Sequence, residues 1–286
     1  MNTSIDCLQC LFPTLVKLIK IATDDEDKRM EIVRGVLERL SKDPLNENPV
    51  AVSERLMSYV REVSGNHDPL KKLKHERNQK AWKLLPEISR IIHNSEDPLF
   101  SSFKAAAAGN ILDIVSVGND AMLESALKQA FNNGFARNDY NIFLEQLDTS
   151  ENILYIGDNS GEIVLDRFPV SELVKRNKKI LYCVRGEPAM DDALEADFIE
   201  AKMGEFAEMI DTGTPHLGFL PDKVSQKTKE IFNEADLIIS KGMGNYESLY
   251  EINDKRIYFI LRAKCDYIAE KMRVKKGDYC FTRGGF

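Results

Sequence analysis

The sequence predicts an α/β fold, and three observations carry that prediction: helical periodicity in the first half, short apolar runs in the second, and helical stretches between those runs. Up to residue 149, apolar side chains recur every three or four positions. Beyond it, "NILYIG", "KILYCV", "DLIISKG" and "RIYFILRA" are short, rich in isoleucine and aromatics, and apolar on both faces. Strands buried on both faces and separated by helices form a mainly parallel sheet covered by helices. The expectation is a helical N-terminal region, 1–149, followed by a Rossmann-like α/β catalytic region, 150–286, with its sheet flanked by helices.

Each element has its own signal. Leu11, Leu15, Leu18, Ile19 and Ala22 mark the first helix. The acids Asp24, Asp25, Glu26 and Asp27 suit the start of a second, where the helix dipole favours negative charge. That helix carries Ile32, Val33, Val36 and Leu40, and a third holds Val50, Val52, Leu56, Val60 and Val63. "GNHDPL" makes a turn, and a long charged helix follows through Trp82, Leu85, Ile88 and Ile92. "FKAAAAGNILDIV" reads as a helix with a small-residue face suited to close packing. In the second half "AEMIDTG" is a further strand candidate. No internal repeat or low-complexity segment interrupts the pattern.

The 286 residues suffice for a sizeable core, in one large domain or two modest ones. With 43% hydrophobic and 30% charged residues the chain reads as soluble and globular. A net charge of -7 argues against general affinity for nucleic-acid backbones but leaves room for a small basic pocket. No apolar run approaches the roughly 20 residues of a membrane span. The start, "MNTSIDCLQCLF", lacks the pattern of a signal peptide, so a cytoplasmic protein is expected. Five scattered cysteines do not suggest a disulfide framework. Nothing in the sequence speaks to oligomeric state.

Ligands of open parallel sheets sit beyond the carboxyl ends of the strands. The first long strand delivers Asp158, Asn159 and Glu162 there; the second delivers Arg185 and then Asp191 and Asp192. The "DLIISKG" strand delivers Lys241, and the last delivers Lys264. Asp158, Asn159 and Asp192 offer oxygen donors of the kind that hold Mg²⁺ or Mn²⁺. Arg185, Lys241 and Lys264 offer the cationic donors that recognise phosphate. A metal beside a cationic anion pocket is the equipment of phosphoryl chemistry. Asn110 and Asp113, three apart on one expected helix, could reach the site or could cap or bridge helices.

Simpler readings stand beside these. Asp158 or Asn159 could cap the following helix. Asp191 and Asp192 could be first-turn acids of a solvated helix, and the lysines could be surface charges. The alternative class is a methyltransferase-like or nucleotide-binding enzyme, or a non-catalytic metal-binding protein. "YIGDNSGE" lacks the GxGxxG spacing of dinucleotide folds, and Arg185 stands where those folds place a ribose-binding acid. Cys7 and Cys10 form a lone CxxC, too few ligands for a tetrahedral zinc site.

Several spaced segments resemble the DUF89 family of damage-control phosphatases. "GDNSGE" is similar to its D-N-A/S-G-E motif, "VRGEPAMDDA" to R-G-x-P-x-x-N-D-A, "KGMGNYESL" to K-G-x-G-N-x-E and "LRAKC" to L-K-A-K-C. "AAAAGNILD" and "HDPLKKLKHERN" also fit, as does "CLQC" of the prokaryotic-type branch. The resemblance covers nearly the whole chain. It implies a divalent-metal-dependent phosphomonoester hydrolase acting on small phosphorylated metabolites, sugar phosphates among them, with Mn²⁺, Mg²⁺, Co²⁺ or Ni²⁺ as cofactor. It also implies Asp158, Asn159 and Asp192 as metal ligands. Arg185, Lys241, Lys264, Glu162 and Asn110 are the expected substrate-binding set. Asp191 stands where the family usually has Asn, which adds a rival ligand, and Leu194 where it often has Thr.

Overall fold

A computed structural model describes residues 1–42, 47–109 and 120–285. Its centre is a seven-stranded sheet in the order β1-β7-β6-β5-β2-β3-β4. The strands are β1 (Arg137–Asn138), β2 (Asn152–Ile156), β3 (Lys179–Val184), β4 (Glu208–Asp211), β5 (Leu237–Lys241), β6 (Ile257–Arg262) and β7 (Tyr279–Arg283). Neighbours run parallel except β6 and β7, which are antiparallel. The four apolar runs and "AEMIDTG" are thus β2, β3, β5, β6 and β4. Two strands carry no such signal. β1 is two residues long and falls within the stretch expected to be helical, and β7 follows a short antiparallel return.

The strand side chains alternate between two apolar layers, as the pleat requires. Ile153, Tyr155, Tyr182, Ile239 and Tyr258 join one cluster with α5 (Pro98–Ala108) and α8 (Glu162–Lys175). Leu154, Ile156, Ile238, Phe259 and Leu261 face the other way, toward α11 (Met243–Leu249) and α12 (Asp266–Met272). The run Ala105–Ala108 is buried, and its small side chains let α5 approach α8 closely.

A third cluster joins α1 (Ile5–Ala22), α2 (Glu26–Lys42) and α3 (Pro49–Ser64) through Leu15, Leu18, Ile32, Val36, Val52, Leu56 and Val60. Met190 and Leu217, from loops at the strand ends, pack into it. Asn48 Nδ2 donates to the Glu247 carbonyl at 2.8 Å, and the Met1 amine pairs with Glu251 at 2.6 Å. These contacts set the three helices against the carboxyl edge of the sheet. All five cysteines are free thiols. Among the described residues no helix is long and apolar enough to cross a membrane.

Candidate active site

β2 and β5 lie side by side, but the chain leaves β2 toward β3 and leaves β5 toward β6 on the opposite flank. The crevice at the carboxyl ends of such a pair is where open α/β sheets take ligands. Here it opens into a cavity of about 450 Å³. Asp158, Asn159, Asp191, Asp192 and Lys264 border it from the sheet, and Leu11, Val52 and Met57 border it from α1 and α3.

Asp158 follows Gly157 directly after β2. Its carbonyl accepts from Ala193 N at 2.8 Å, which ties the β2 loop to the β3 loop. Its carboxylate lies against Gly242, whose φ of +83° is a glycine conformation; any Cβ there would run into the Asp158 oxygens. Burial pushes the Asp158 carboxyl well above the usual carboxylate range, with the charges of Glu162 and Asp192 adding to it and Lys264 and Arg185 opposing. Neither Asp158 nor Asn159 caps α8: the N-cap is Gly161, and Gly161 N donates to Asn78 Oδ1 at 2.6 Å.

Asn159 Nδ2 donates to Asp158 Oδ2 at 3.0 Å and to Glu162 Oε1 at 2.9 Å. Both amide hydrogens are thereby used, and Oδ1 remains as the acceptor. Asn159 and Asp192 form an isolated antiparallel bridge, so the residues after "RGEP" are a buried turn and not the helix start considered above; α9 begins only at Glu195. In that turn the two aspartates take different partners. Asp191 pairs with Arg77 Nη1 at 2.5 Å, while Asp192 Oδ2 accepts from Arg185 Nε at 2.6 Å.

Arg185 is buried at 2% exposure. Its Nη2 donates to Asn245 Oδ1 at 2.9 Å and to the Leu217 carbonyl at 3.1 Å, and its Nη1 is buried with no hydrogen-bond partner among the described residues. Asn245 Oδ1 also accepts from Phe219 N, and Asn245 Nδ2 donates to the carbonyls of Gly157 and Lys241. One carboxamide therefore ties β2, β5 and two loops together.

Arg185, Lys241 and Glu162, expected beside the substrate, do not border the cavity. Lys241 Nζ donates to Asp166 Oδ1 at 2.8 Å, Glu162 Oε2 at 3.1 Å and the Ala106 carbonyl at 3.1 Å, which uses its three hydrogens. Burial alone would lower its pKa, but Asp166 and Glu162 outweigh that and hold the ammonium above its ordinary value. Asp166 also accepts from the Tyr155 and Tyr182 hydroxyls at 2.8 and 2.7 Å. The reason is the pleat: Lys241 lies two residues after Ile239 and shares its face, toward α8 and away from the crevice. Asn110 and Asp113 lie outside the described residues.

Sequence reasoning missed several groups at the site. Arg77 and Asn78 come from α4 (Lys71–His93); they close the family-like segment "HDPLKKLKHERN", but the sequence assigns neither a role at the site. Glu247 borders the cavity, and burial raises its carboxyl to about 7 against the pull of Lys264 and the amino terminus. Among the described residues no three His, Cys, Asp or Glu side chains are grouped as a metal would need. The donor set at the switch point is instead two carboxylates and one carboxamide. Hard divalent cations accept such oxygens. Asp158, whose proton affinity is raised by burial and by the charges of Glu162 and Asp192, is also short of positive charge, which such a cation supplies.

Residues 3–280 match the family described as the damage-control phosphatase ARMT1-like domain. The chain is 31% identical over 290 residues to a damage-control phosphatase of Pyrococcus horikoshii, covering 100% of this chain and 99% of that one. It is 32% identical over 280 residues to a damage-control phosphatase of Archaeoglobus fulgidus, covering 95% and 96%. The crystal structure of a DUF89 family protein from Pyrococcus horikoshii superimposes with a TM-score of 0.91 at 30% identity, covering 99% of each chain.

Proposed function

The chain belongs to the damage-control phosphatase ARMT1-like domain family, and from that membership we propose a divalent-metal-dependent phosphatase that hydrolyses small phosphorylated metabolites such as sugar phosphates. The convergence of Asp158, Asn159 and Asp192 on one cavity at the switch point carries this reading. Asp158 and Asp192 would hold the cation through carboxylate oxygens, and Asn159 through Oδ1. A bound divalent ion supplies Lewis-acid charge to the phosphoryl oxygens and acidifies water.

The chain's own groups do the rest. Arg185 aims Asp192 at the cavity through Nε, without itself bordering that cavity. Lys264 brings a further positive charge to the same cavity, where it lowers the proton affinity of Asp158. Buried cationic donors aimed at developing charge stabilise a phosphoryl transition state more than they do in water. Glu162 turns the Asn159 amide so that Oδ1 is the atom presented, and Lys241 neutralises Glu162 from beneath. The test is phosphate release from a panel of phosphorylated metabolites with Mg²⁺, Mn²⁺, Co²⁺ or Ni²⁺ and after chelation. Activity is expected only with a divalent ion; turnover that survives chelation would refute the metal-dependent reading.

A further inference from the structure

Glu247 stands apart from the groups assigned so far. It borders the same cavity as Asp158, Asn159, Asp192 and Lys264. It belongs to α11, which leaves β5 through Gly242, the residue against which the Asp158 carboxylate lies. Its backbone is fixed, because the Glu247 carbonyl accepts from Asn48, the N-cap of α3, at 2.8 Å. No donor among the described residues hydrogen-bonds its carboxylate, on which the charges of Lys264 and the amino terminus bear from a distance. Lys264 also opposes proton uptake by Asp158, so one cation lies within electrostatic reach of both acids. Cys265, from the same loop after β6, feels the Glu247 charge as well. Burial outweighs the two cations and raises the Glu247 carboxyl to about 7, so a large share of it keeps its proton near neutral pH.

Resting on the phosphatase reading, we propose that Glu247 is the general acid that protonates the leaving-group oxygen. As the P–O ester bond breaks, its electron pair passes to the leaving oxygen. The carboxyl proton of Glu247 moves to that oxygen, and an alcohol departs. Water supplies the new P–O bond, and the proton it sheds restores the Glu247 carboxyl. The sum is ester plus water giving alcohol plus phosphate. An alkoxide is strongly basic and leaves slowly without such a proton, which is where a positioned acid helps most. Environment divides the acids of the cavity between two tasks. Asp158 and Asp192 are placed at the switch point with Asn159 as oxygen donors, whereas Glu247 sits across the same cavity on a separate helix with its carboxyl uncommitted among the described residues.

The test pairs two esters, with Mn²⁺ present: a hexose monophosphate, whose alkoxide needs a proton, and p-nitrophenyl phosphate, whose phenolate leaves without one. Glu247→Gln keeps the shape and removes the acid. It is expected to cut kcat for the hexose ester by about 100-fold or more and to change that for the aryl ester by less than about threefold. In the wild type, kcat for the hexose ester should fall as pH rises through about 7, because the carboxylate then has no proton to give, while the aryl ester escapes that fall. The difference between the two profiles separates Glu247 from groups common to both reactions, Asp158 and Lys264 among them. Equal losses for both esters in Glu247→Gln, or parallel wild-type profiles, would overturn the proposal. The wild-type comparison decides the matter even where the variant does not fold. If the wild type hydrolyses neither ester with Mg²⁺, Mn²⁺, Co²⁺ or Ni²⁺, the phosphatase reading fails and the role of Glu247 with it. Hydrolysis of both with no difference between them spares that reading and removes Glu247 alone.

Discussion

Replacing Lys241 by methionine removes a buried ammonium from between two buried carboxylates. Methionine keeps an unbranched, flexible chain, so the change is mainly of charge. Lys241 is 1% exposed, and the side chains of its partners Glu162 and Asp166 are 0% exposed. Without Nζ both carboxylates stay buried. Asp166 retains the Tyr155 and Tyr182 hydroxyls and Glu162 retains the Asn159 amide, but none of these is a cation. Breaking a buried pair by removing one partner costs about 3–5 kcal/mol. For a chain of this size that loss lowers Tm by on the order of 10 °C. Urea unfolding of the wild type, Lys241→Met and Lys241→Met/Asp166→Asn measures it. The second substitution should return part of the loss, with a coupling of roughly 0.5–3 kcal/mol. A stability change below about 1 kcal/mol, together with a raised KM for phosphate esters, would place Nζ at the substrate and refute the reasoning.

Three further outcomes follow from the same geometry. Asp192→Asn should weaken Mn²⁺ binding at least tenfold by calorimetry and cut turnover, whereas Asp191→Asn should keep the metal and lower Tm, because Arg77 loses its carboxylate; the reverse pattern would shift the ligand assignment by one residue. Gly242→Ala should abolish Mn²⁺ binding, since its Cβ meets the Asp158 carboxylate, and should cost about 1–3 kcal/mol for the extended, positive-φ backbone that essentially only glycine adopts; calorimetry and urea unfolding check the two. Glu54, 6% exposed and paired with Arg61 at 2.8 Å, is raised by burial from its ordinary 4.5 to about 7. The folded state holds that proton more tightly than the unfolded state, so stability present below pH 4.5 is lost as pH rises to about 7, by about 3 kcal/mol. Unfolding free energies across that window should decline less in Glu54→Gln; parallel curves would exclude Glu54 as the cause.

Some of this was written locally in the chain. β2, β3, β5 and β6 are runs of five or six residues apolar on both faces, and burial on both faces of a sheet demands that pattern wherever it occurs. The helices α1 to α3 show their core stripes at helical spacing for the same reason. Because ligands of parallel sheets gather at strand ends, Asp158, Asn159, Asp192 and Lys264 could be picked out by position alone, and the structure brings them to one cavity. Tertiary structure alone decided which side chains face that cavity and which support it. Lys241 ends a strand as Lys264 follows one, yet its place on the pleat sends it under the sheet to Glu162 and Asp166. Asp191 and Asp192 are adjacent, and only the arrival of Arg77 from 114 residues away and of Arg185 from seven residues away divides their tasks. β1 and β7 are short and make sense only through their neighbours, β1 completing an edge that β7 leaves open. Periodicity is a property of a few consecutive residues and survives in the sequence; an ion pair or an edge pairing is a property of two distant segments, and it exists only once the chain has closed on itself.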